Sequence, residues 1–112
     1  MSAQEDWGQD PSVRSMRRVF AGMEAAQKKL LGCLNISPLD SRLRRYRDKA
    51  LAAFERTWGK AVRKGAVLSE DDLASLYANC LARELSLDGV NVFCEALPQD
   101  EKIIKFMNEG LK

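Results

Sequence analysis

The stretch SRLRRYRDKALAAFERTWGKAVRK, residues 41–64, decides the fold. Successive helical residues are turned by about 100° about the axis. On that wheel Leu43, Tyr46, Ala50, Ala53, Phe54, Thr57, Trp58 and Ala61 fall on one face. An apolar stripe this wide and this long predicts an amphipathic helix laid on a core. Trp58 is its largest anchor, with an indole N–H that needs a partner or the rim. The same wheel sorts the charges. Arg42, Arg45, Lys49, Arg56, Lys60 and Arg63 form a strip about 60° wide and about 30 Å long, with Lys64 at its edge. The segment carries nine lysines and arginines against two acids, Asp48 and Glu55, which lie on the other flank. Arg44 and Asp48, four apart, can pair with each other and leave the strip unneutralised.

Working outward, the residues before this helix read as a stop and a restart. Asn35 suits a left-handed helix C-cap. Ser37 can cap the next helix, Pro38 fits a first helical position, and Asp40 completes an S-x-x-D box. The second helix is therefore expected over residues 38–64, ended by Gly65. Upstream, Val13, Met16, Phe20, Met23, Leu30 and Leu34 keep three-and-four spacing, broadened by Val19, Ala26 and Cys33. A first helix over residues 12–34 follows. The short link between the two predicts an antiparallel hairpin.

Downstream, Ser69-Glu70-Asp71-Asp72 combines an N-cap with three acids that complement a helix dipole. The third helix is expected to end near residue 87, at Asp88-Gly89. Its apolar face carries Leu73, Leu76, Tyr77, Cys80, Leu81 and Leu85, with Glu84 as the polar exception. Residues 90–94 alternate like a strand, but a single strand has no partner here, so they read as an apolar connection packed on the core. A last helix is expected over residues 98–108. The whole is an all-α, four-helix bundle-like domain over residues 12–112, built on a long antiparallel helical hairpin with two shorter closing helices. Residues 1–11, with Trp7, read as a flexible acidic leader.

The chain of 112 residues has room for one domain and a modest core, so self-association into a dimer is a plausible way to add buried area. Its net charge of +2 conceals an asymmetry: residues 14–64 carry 14 basic and 4 acidic side chains, residues 65–112 carry 4 basic and 9 acidic ones. Arg14, Arg17 and Arg18 add to the basic half. Three widely spaced cysteines, Cys33, Cys80 and Cys94, without CxxC or a signal-peptide pattern, point to small core residues in a reduced, cytoplasmic setting.

Catalytic chemistry lacks its parts. Histidine is absent, which removes the commonest general base and transition-metal ligand. There is no G-x-S-x-G, no phosphate loop and no EF-hand pattern, and the acid clusters sit at helix starts where the dipole explains them. The expectation is a non-catalytic protein without cofactor or metal. No apolar run is long enough to span a bilayer, and membrane-surface binding is disfavoured because the aromatic residues of the second helix are needed in the core.

A one-signed strip at four-residue spacing repels itself unless something negative lies over it. Nucleic-acid phosphate, an acidic protein surface, the protein's own acidic half and bulk counterions are the alternatives. Arginine outnumbers lysine six to three in the quoted stretch, and its fork suits phosphate or carboxylate. The expectation is an accessory subunit that binds nucleic acid through its backbone, with little sequence readout, as part of a complex or homodimer. The alternative is a helical adaptor or regulator docking an acidic protein, or a self-associating helical protein.

Overall fold

The computed structural model describes residues 11–95, 97 and 100–110. Four helices follow one another: α1 (Pro11–Cys33), α2 (Leu43–Arg63), α3 (Glu70–Leu87) and α4 (Glu101–Gly110), with no strand among the described residues. Residues 1–10 of the expected leader, with Trp7, and also Pro98 and the side chains of Val13 and Arg14, lie outside the described residues, whereas Pro11 opens α1.

Local chemistry ends three of these helices in the same way. Asn35, Gly65 and Gly89 have φ of 57°, 83° and 86°. In each case the next amide reaches back five residues: Ile36 to the Leu31 carbonyl at 2.9 Å, Ala66 to Ala61 at 2.9 Å, and Val90 to Leu85 at 3.1 Å. These are Schellman closures, in which a left-handed residue lets orphan carbonyls find donors. The start of α3 is equally local. Ser69 Oγ accepts from the Asp72 amide at 3.1 Å, and the Asp72 carboxylate accepts from the Ser69 amide at 3.0 Å, a complete capping box.

The start of α2 differs from expectation. It begins at Leu43 rather than at residue 38. Ser37 Oγ accepts from the Leu39 amide and Asp40 Oδ1 from the Arg42 amide, each two residues on. The Asp40 and Leu43 amides bond to the Ser37 and Asp40 carbonyls, three residues back. The polar side chains thus stabilise two successive turns that compete with the first helical turn.

The larger difference is in how the helices pack. The packed pairs are α1–α3, α2–α3, α2–α4 and α3–α4. The expected α1–α2 hairpin is not a packed pair; α3 stands between the two long helices. Its contacts with α1 rise together in number, Glu70 with Arg18 and Tyr77 with Gln27, so these two run parallel. Against α2 they run in opposite order, Tyr77 with Phe54 and Asp88 with Tyr46. The composition of α3 explains its position. Ten of its 18 residues are buried, including Ser75, Ala78, Asn79 and Ala82, which lie off the apolar stripe. Small side chains there let helices approach on more than one side. The Asn79 amide is satisfied by the Ser75 carbonyl at 2.9 Å.

The core gathers Val19, Met23 and Leu30 of α1, the α2 seam, Leu73, Leu76, Leu81 and Leu85 of α3, and Ile103 and Met107 of α4. The α2 seam is as expected: Leu43, Tyr46, Ala50, Ala53, Phe54, Thr57 and Ala61 are buried, and Trp58 is half-buried with its ring centroid 5.6 Å from that of Phe54. In α1 the stripe is shifted. Leu31 is buried, while Met16, Phe20 and Cys33 are exposed, because α3 takes up the Val19–Met23–Leu30 side. Val90, Val92, Cys94 and Leu97 pack against the core as an irregular connection, with Phe93 fully exposed between them. No helix of the described residues is long and apolar enough to cross a membrane.

Candidate nucleic-acid interface

The outer side of α2 carries the basic strip, and the residues flanking it divide its members into two kinds. At the amino-terminal end Arg42 is held by its own turn: Nε and Nη2 donate to the Asp40 carboxylate at 3.2 and 3.0 Å. This side-chain bond, with the Arg42 amide, holds the Asp40 carboxyl below its ordinary value.

One turn further, Arg45 donates from Nη2 to Asp88 Oδ2 at 3.0 Å, and its guanidinium lies 5.5 Å from the centroid of the Tyr46 ring. The Tyr46 hydroxyl donates to the same Asp88 oxygen. Asp88 is the C-cap of α3. Its carboxyl is held below the ordinary value by the Tyr46 hydroxyl first, and then by the positive charges of Arg45 and Lys49. The same carboxylate raises the Tyr46 hydroxyl. At the far end Lys64 Nζ lies 3.5 Å from Glu109 Oε2 of α4. Acids of the second half therefore bracket the strip at both ends.

Between the brackets the cations are differently placed. Lys49, Arg56 and Arg63 are exposed, and none has a carboxylate within 4.0 Å among the described residues. Lys60, in the same row, is half-buried. Arg44 and Asp48 do not form the ion pair their spacing allows.

The α1 arginines lie elsewhere. Arg18 Nη1 is 3.8 Å from Glu70 Oε1 at the start of α3, and Arg17 is exposed. Both are at the end of the bundle where α2 finishes, since the link from Arg63 to Glu70 is short. Arg14 belongs to α1, with its side chain outside the described residues.

These pairs are solvent-exposed, with Arg45 60% and Asp88 43% accessible, so each is held weakly and can exchange partners. Sequence reasoning found the strip but not Asp88 and Glu109 as its neighbours. The available signal was the charge asymmetry between the halves; which acid meets which base depends on α3 and α4 lying against α2. Among the described residues no cluster of three or more metal-ligating side chains occurs. The strip can bind anions by charge-assisted hydrogen bonds. Cys80, the buried thiol, is pushed up to about 12 by burial and is unreactive on that account.

No protein-family model matches this chain, and neither a curated protein nor a solved structure does.

Proposed function

We propose that the protein is a non-catalytic accessory subunit that binds nucleic acid through the phosphate backbone with the outer face of α2. The observation that carries this reading is the row Lys49, Arg56 and Arg63: exposed cations of one sign, without a carboxylate within 4.0 Å among the described residues, on a rigid helix. Phosphates along a duplex supply a negative charge per about 1.7 Å of axis, which a one-signed row of this length can meet at several points. The aromatic residues of α2 face inward, so bases have no stacking platform there and readout of sequence is not expected. Arg42, Arg45, Lys60 and Lys64 complete the row, and Arg14, Arg17 and Arg18 form a second basic group at one end.

A second reading has an observation of its own. Asp88 and Glu109 already accept from Arg45 and Lys64, so the strip is chemically suited to carboxylates. A helical adaptor docking an acidic protein, or a second copy presenting its acidic half, would use the same cations.

Titration with labelled RNA and DNA of unrelated sequence separates the two. The expected result is similar affinity for all sequences and a steep salt dependence. Replacing Lys49, Arg56 and Arg63 together by glutamine should flatten the log–log salt slope by about 2.7 for duplex, from about 0.9 per neutralised phosphate. Glutamine has similar helix propensity, so the fold is expected to survive. Undetectable nucleic-acid binding, with capture of an acidic protein that the triple variant loses, overturns the first reading in favour of the second.

A further inference from the structure

Because α1 and α2 both rest on α3 and do not pack on each other, a groove runs between them. Two cavities make it up, of about 150 and 580 Å³. Glu24, Gln27 and Arg47 line both, so the two adjoin. The floor and walls are apolar: Phe20, Met23 and Leu51 at one end, Leu31 and Ile36 at the other. Ligand sites of folded proteins have this size and this mixture of apolar walls with a few converging polar groups.

Those polar groups are oriented. The Tyr77 hydroxyl, at the back of the groove, donates to Gln27 Oε1 at 2.6 Å. That bond fixes which way the Gln27 carboxamide points and leaves its amino group as a donor. Arg47, opposite on α2, also lies against Tyr77 and moderates the rise that burial imposes on its hydroxyl. Arg47 is exposed and has no carboxylate within 4.0 Å among the described residues. Lys28 on the α1 wall adds a second positive charge against the single negative charge of Glu24. Gly32 widens the larger cavity: a Cβ there would meet no atom within 4 Å, and its φ is not left-handed. Neither backbone nor packing requires glycine at that position of α1.

We infer that the α1–α2 groove is a binding site for an amphipathic organic anion. The apolar body would lie over Leu31 and Ile36 in the larger cavity, and the carboxylate would accept from the Arg47 guanidinium and the Gln27 amide. This is independent of the basic strip, since Arg47 is not a member of it.

The probe is decanoate, with decyltrimethylammonium as the same chain bearing the opposite charge. In a heteronuclear NMR titration of the whole chain, decanoate should give saturable one-to-one shifts centred on Glu24, Gln27, Gly32 and Arg47. Decyltrimethylammonium should bind at least about tenfold more weakly, as expected for losing a charge-assisted hydrogen bond. Arg47→Gln should cost decanoate about tenfold and leave decyltrimethylammonium unchanged or improved. Gly32→Phe should fill the larger cavity, abolish both and keep native helicity, since phenylalanine has a higher helix propensity than glycine. Shifts confined to another part of the surface, or binding indifferent to Gly32→Phe, overturn the site. Equal affinity for the two probes, or indifference to Arg47→Gln, overturns the anion. Self-association of the ligand-free protein that Gly32→Phe abolishes would assign the groove to a second copy instead.

Discussion

Asp88→Asn is the perturbation that best tests how the acidic half governs the basic strip. The Asp88 carboxylate accepts from both Arg45 and the Tyr46 hydroxyl. Asparagine keeps an oxygen that Tyr46 can donate to, so the α2–α3 contact is preserved while the charge that holds Arg45 is removed. If the strip binds duplex phosphate, one further cation becomes available. The negative log–log salt slope should then steepen by about 0.9. At about 0.1 M salt that added slope corresponds to about eightfold tighter binding relative to about 1 M, where the gain vanishes. Fluorescence anisotropy with labelled duplexes, from about 50 to about 300 mM salt, reads both quantities. Adding Arg45→Gln to Asp88→Asn should return the slope to that of the parent protein. An unchanged slope in the single variant, with circular dichroism intact, would refute the idea that Asp88 withholds a phosphate-binding cation. A gain that persists in the double variant would refute it too, because the effect would then come from lost repulsion alone.

Two further outcomes concern the scaffold. Leu76→Ala, at a fully buried position on α3, should destabilise the fold by about 3 kcal/mol in chemical denaturation, the usual cost of a lost side chain plus the cavity it leaves. Ser69→Ala should remove about 1 kcal/mol by breaking the α3 capping box. The Asp72 carboxyl is held below its ordinary 3.8 by the Ser69 amide first and then by Lys102. A depressed folded-state value means its contribution is full above that ordinary value and is lost as pH falls through the folded one. Acid unfolding of the parent protein and of Asp72→Asn, which has no titrating carboxyl at that position, should therefore differ fully above pH 3.8 and converge progressively as pH falls below it.

Several features were decided within a few residues of chain and were legible for that reason. Asn35, Gly65 and Gly89 end their helices because the left-handed conformation suits asparagine and glycine. Ser69 and Asp72 start α3 through bonds that span three residues. The buried seam of α2 follows from periodicity alone, and so does the strip on its other side. The start of α2 differs from its expected place although it is local, because Ser37 and Asp40 can serve a helix cap or a pair of turns with the same side chains.

What only the tertiary structure decided is which helix lies in the middle. Apolar stripes state how much surface each helix must bury, not against which neighbour. The short link between α1 and α2 favours a hairpin, but α3 can be approached on more than one side through Ser75, Ala78 and Ala82, and both other long helices pack on it. From that single outcome follow the exposure of Phe20, the groove beside it, and the meeting of Arg45 with Asp88, 43 residues away. Long-range pairings of this kind rest on competition among whole faces, which no local window of sequence contains.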